Sequence, residues 1–115
     1  MRVWEIVKEL ELDVLVEGDQ DAQVMGGCCC DLLSWVMAHG VHNGIWITVQ
    51  THLNTIAVGT LLDLSCILVP EGIAVEEATL QKAKEEGICI LSSKKTAFEL
   101  CGLLYEKGIG AAERA

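Results

Sequence analysis

Apolar positions change their spacing along this chain, and each change marks an element. Val3, Ile6, Val7 and Leu10 recur at helical spacing, which predicts a short amphipathic first helix. Asp13–Val16 reads as a short strand closed by the turn residues Glu17, Gly18 and Asp19. A second strand is predicted around the glycine pair, from Val24 to Cys30. Asp31 is then placed to cap a mostly apolar helix from Leu32 to Ala38.

The second half is more regular. Ile45–Val49 is an unbroken apolar run, as expected of a central strand covered on both faces. Leu53, Ile56, Ala57 and Leu61 predict one face of the next helix. Cys66–Val69 and Ile88–Leu91 read as two further buried strands. Between them, Glu76 and Glu77 suit the positive end of a helix dipole, and Gly87 suits its C-terminal turn. Thr96 and Glu99 fit a capping box, followed by the stripe Ala97, Leu100, Cys101, Leu104, Tyr105 and a stop at Gly108.

Strands alternating with helices over short connections imply parallel pairing and right-handed crossovers. The fold expected is α/β, a mainly parallel sheet of about five strands with helices on both faces. Residues 1–110 make one domain, with 111–115 as a frayed tail, because 115 residues suffice for a single core.

Charge narrows the partners. A net charge of −9 repels a phosphate backbone, and Lys94-Lys95 is the only adjacent basic pair, so nucleic acid is not an expected partner. The start, Met1-Arg2-Val3-Trp4-Glu5, lacks the cationic and apolar segments of a secretory signal. No apolar run approaches the roughly 18 residues of a membrane span. A cytoplasmic protein is therefore expected, with no membrane association.

In a reducing compartment the six cysteines are read as free thiols acting as small buried hydrophobes. Cys28, Cys29 and Cys30 are adjacent and would alternate in direction along a strand, which does not suit a shared metal. His39 and His42 have His-x-x-His spacing but flank a glycine loop with no third ligand predicted, so no metal is assigned. Trp4, Trp35 and Trp46 are read as core or interface residues. Neither a Gly-x-x-x-x-Gly-Lys-Ser/Thr loop nor a Gly-x-Gly-x-x-Gly turn occurs, so no nucleotide cofactor is expected.

Parallel sheets hold ligands beyond the carboxyl ends of their strands. Gln50, Thr51, His52 and Asn54 follow the Trp46 strand, and Ser92, Ser93 and Thr96 follow the last strand, with Lys94 and Lys95 nearby. Free N–H groups at helix starts would favour a carboxylate or phosphate there. The same hydroxyls can equally serve as helix caps. His52 could act as a base, although no nucleophile is placed beside it by sequence. Gly26 and Gly27 could admit a ligand close to the backbone, or form a bulge.

The segment Asp21-Ala22-Gln23-Val24-Met25-Gly26-Gly27, followed by Asp31-Leu32-Leu33-Ser34-Trp35-Val36-Met37, resembles the DRTGG domain family. The resemblance continues through Trp46–Asn54, the glutamate-rich helix before Gly87 and Phe98–Glu106, covering most of residues 3–109. Ala22 stands where the family has arginine, and Met25 where it has threonine. The resemblance implies a fold similar to the N-terminal domain of HPr kinase/phosphorylase, and a stand-alone member of a kind found near hydrogenase genes of anaerobes. It implies a non-catalytic regulatory or interaction module, homodimeric, linked to anaerobic energy or hydrogen metabolism. The alternatives are a sensor that binds a nucleotide or other anion at the strand ends, and a metal protein or enzyme.

Overall fold

The computed structural model describes residues 1–111; most of the tail predicted at 111–115 lies outside them. The elements in chain order are α1 (Val3–Leu10), β1 (Asp13–Val16), β2 (Gly27–Cys29), α2 (Leu33–His39) and β3 (Ile45–Ile47). They continue with α3 (Asn54–Leu61), β4 (Cys66–Val69), α4 (Glu77–Glu86), β5 (Ile90–Ser92) and α5 (Ala97–Glu106).

Five strands form one sheet in the order β1-β5-β4-β3-β2. β2 to β5 run parallel, and β1 pairs antiparallel with β5. This is the mainly parallel α/β fold expected. The chain steps from β2 to β5 in one direction across the sheet. Right-handed crossovers in a constant direction must put every crossover helix on the same face. Accordingly Val36 of α2, Ile56 and Val58 of α3, and Ala83 of α4 share one cluster with Trp46, Ile67, Val69 and Ile90 of the sheet. The alternate strand residues Ile45, Ile47, Cys66, Leu68 and Leu91 face the other way. They are covered by Val3, Ile6 and Leu10 of α1 and by Leu100 and Leu104 of α5.

Several boundaries differ from the sequence reading. β2 is shorter than predicted and begins at Gly27. The last strand starts at Ile90 rather than Ile88, because Ile88 and Cys89 are buried in the approach to the sheet. On α3 the buried residues are Thr55, Ile56, Val58 and Gly59, while Leu53 and Leu61 are exposed and Ala57 also faces solvent. A helix with apolar residues all round carries little information about which side faces inward.

Asp31 does not cap α2. Leu32 holds the N-cap position without a side-chain bond, and the Asp31 carboxylate reaches across to the next strand instead. The α5 stripe is right for Leu100 and Leu104, whereas Tyr105 is exposed. Of the tryptophans only Trp46 is buried, its indole N–H donating to the Cys30 carbonyl at 2.7 Å. Trp4 and Trp35 are about half exposed. No helix among the described residues is long and apolar enough to cross a membrane.

Candidate functional site

Parallel pairing brings Gln50, Thr51, His52 and Asn54 to the same sheet edge as Ser92, Ser93 and Thr96, at the carboxyl ends of the strands. Gly26 and Gly27 enter β2 at its amino end, on the opposite edge. The predicted residues therefore form two groups rather than one.

Along the carboxyl edge the polar groups tie neighbouring loops together. The Asp31 carboxylate, after β2, accepts from the Thr48 hydroxyl at 2.8 Å and the Val49 N–H at 2.9 Å, after β3. The Gln50 amide donates to the Asp31 carbonyl at 3.2 Å, and its backbone N–H donates to the Thr48 hydroxyl at 3.1 Å. Thr51 offers its carbonyl to the hydroxyl of buried Thr79 on α4 at 2.7 Å.

The loops after β4 and β5 are joined in the same way. Glu71 N–H donates to Lys95 O at 2.8 Å, and Gly72 N–H donates to Ser93 O at 2.9 Å. The Ser93 hydroxyl accepts from Lys95 N–H at 3.1 Å. Ser92 is the last residue of β5 itself, paired with Val69 and Asp13. Thr96 caps α5, its hydroxyl accepting from Glu99 N–H at 3.1 Å while the Glu99 carboxylate returns to Thr96 N–H at 3.4 Å. The side chains of Asp31, Thr48, Gln50, Ser93 and Thr96 are thus engaged within the scaffold. Among the described residues no buried side-chain nitrogen or oxygen lacks a partner.

His52 is exposed, and its Nδ1 accepts from Asn54 N–H at 3.1 Å, at the first turn of α3. That bond gives one of the first N–H groups of α3 an acceptor. His39 stacks on Trp35 with ring centroids 3.8 Å apart, and its Nδ1 lies 3.2 Å from Trp35 O. No group of three or more His, Cys, Asp or Glu among the described residues could hold a metal.

The amino edge is built differently. Val3 N–H bonds Ala22 O, Val24 N–H bonds Met1 O, and Ile45 N–H bonds Gly26 O, so the segment through Gln23 is stitched between the N-terminus and β3. A guanidinium does reach this segment, although not from position 22: Arg2 Nη1 donates to the Asp21 carbonyl at 3.0 Å. Beside it lies a groove of about 580 Å³ lined in part by Gln23, Met25, Asp19, Asp63 and Glu86. Its carboxylates disfavour an anionic ligand.

A third feature was not foreseen. Cys29, at the end of β2, and Cys101, on α5, line a small apolar cleft of about 160 Å³ with Ile47, Leu104 and Tyr105. Burial, with Cys101 nearby, pushes the Cys29 thiol up to about 12. The cysteines are therefore not uniformly core residues. Cys66 and Cys89 are buried, Cys28, Cys30 and Cys101 are half-buried, and Cys29 is exposed. Burial raises the Cys66 thiol, and raises Cys89 to about 12 against the lowering effect of the Gln20 amide. Only a contact between elements distant in sequence brings Cys29 to Cys101, and no local pattern announces it.

Neither a family model nor a curated protein matches this sequence. Among solved structures, the chain is similar to the CBS and DRTGG domains of the regulatory region of Clostridium perfringens pyrophosphatase, crystallised with the activator diadenosine tetraphosphate. The TM-score is 0.70 at 15% identity, over 86% of this chain and 44% of that one. The chain thus spans less than half of the regulatory region it matches, and the likeness is one of fold.

Proposed function

We propose that this chain is a non-catalytic regulatory domain of the DRTGG kind that works as a homodimer. The observation that carries this reading is the likeness of its fold to part of a pyrophosphatase regulatory region. The site chemistry supports it. At the carboxyl edge Ser93 accepts from Lys95 N–H, Thr96 caps α5 and His52 accepts from Asn54 N–H, bonds that hold the scaffold and pair no base with a nucleophile. The topology agrees, because the parallel strands progress in one direction and create no switch-point crevice of the kind that receives substrates in open α/β sheets.

Dimerisation is favoured by the apolar side chains that the single chain leaves in solvent, Phe98 and Tyr105 on α5 and Leu32 ahead of α2 among them. Small domains bury a low share of their surface, and a two-fold contact is the commonest way to cover the remainder. The test is incubation of the purified protein with nucleotides and phosphorylated metabolites. The reading expects no saturable turnover; turnover abolished by His52→Ala would overturn it.

A further inference from the structure

We propose that α3 is the surface through which two copies of this chain pair, antiparallel about a two-fold axis at Ala57. This inference rests on the homodimer reading and assigns that dimer its face. α3 carries apolar residues on both sides. Its inner side buries Ile56 and Val58 in the sheet-facing cluster, while Leu53, Ala57 and Leu61, four residues apart, form an exposed row. A helix that is apolar all round belongs in an interior, and the single chain covers only one side of this one. On one flank α3 packs against α2, whose Trp35 and Met37 are about half exposed. On the other, a groove of about 450 Å³ runs between α3 and α4.

Charge selects the occupant. A chain of net charge −9 repels its own copy wherever carboxylates meet. α1, α4 and α5 each carry glutamates, whereas α2 and α3 contain no Asp, Glu, Lys or Arg. A basic partner gains nothing from such a layer, but a second copy meets no repulsion there. Phe98 and Tyr105 on α5 are more exposed, yet Glu99 and Glu106 share that helix, and a symmetric α5 pair brings the glutamates of two copies together.

The row on α3 is also its own complement. Leu53 and Leu61 lie four residues, about 6 Å, to either side of Ala57. An antiparallel crossing at Ala57 sets Leu53 of each copy against Leu61 of the other, and the small alanine lets the backbones approach. The same crossing brings Asp63, just past α3, to the start of the partner helix. There His52 is exposed, the first turn holds no acidic residue, and the helix dipole presents its positive end.

The test is light scattering of the full chain and its variants at equal concentration. Ala57→Glu and Ala57→Lys should each give the mass of one 12.5 kDa chain, with unchanged circular dichroism because the position is exposed. Mixed in equal amounts, the two variants should recover twice that mass, since the substituted residues face each other across the axis. Leu61→Ser, which adds no charge, should raise the dimer Kd at least about tenfold. Phe98→Glu should remain dimeric. A monomeric wild type would sink the homodimer reading and this interface together. A dimeric wild type whose Ala57→Glu and Leu61→Ser variants pair as tightly, or charge variants that stay monomeric when mixed, would overturn the α3 interface alone.

Discussion

Asp31 and Thr48, on the loops that leave β2 and β3, are joined by a 2.8 Å hydrogen bond in which the threonine hydroxyl donates to the carboxylate. Thr48 is buried, and the same carboxylate oxygen also takes the Val49 N–H. Removing the acceptor leaves a buried hydroxyl with its donor unmet, the costly kind of loss. Asp31→Ala should destabilise the fold by about 1–3 kcal/mol in urea unfolding. Asp31→Asn, which keeps an acceptor oxygen, should cost less. Equal losses for the two variants would show that the carboxylate does not act through this bond.

Two glycines with similar backbone angles should respond unequally to alanine. Gly18 has φ +55°, and a Cβ there would sit 2.6 Å from Cys89 N and 2.8 Å from its Cα. Gly87 has φ +71° with nothing within 4 Å of the added carbon. Gly87→Ala therefore incurs only the left-handed strain, about 1–2 kcal/mol. Gly18→Ala must also push backbone apart, at about 3 kcal/mol or more. Chemical denaturation of both variants checks the order, and a Gly87→Ala loss as large as that of Gly18→Ala would refute it.

The buried thiols predict alkaline instability. Cys89 titrates at about 12 in the fold against an ordinary value of 9.0, and Cys66 is shifted the same way. Below about pH 8 both states hold these protons, so stability does not depend on them. Above pH 9 the unfolded chain releases protons that the fold retains, and stability must fall as pH rises toward 12. The slope approaches about 1.4 kcal/mol per pH unit for each buried thiol. Urea midpoints at pH 8 and pH 10 measure this, and Cys89→Ala should flatten the dependence.

How legible this was in the sequence depended on whether the relevant information is local. β1 and β4 emerged with the bounds expected, since short apolar runs closed by Glu17-Gly18 or Pro70-Glu71-Gly72 have clear limits. The Thr96–Glu99 capping box was equally plain, because its partners are three residues apart. The antiparallel pairing of β1 with β5, the link from Asp31 to Thr48 and the meeting of Cys29 with Cys101 all depend on chain crossings, which no local pattern encodes. Gln50, Thr51, His52, Asn54, Ser92, Ser93 and Thr96 do lie at the carboxyl edge of the sheet. The bonds that engage them, such as Thr79 to Thr51 O, became visible only once α4 lay over the loop.

Light scattering on the reduced protein at tens of micromolar tests the proposed dimeric regulatory domain most directly. The account predicts a mass of twice the 12.5 kDa chain. A mass of one chain across that range would contradict it.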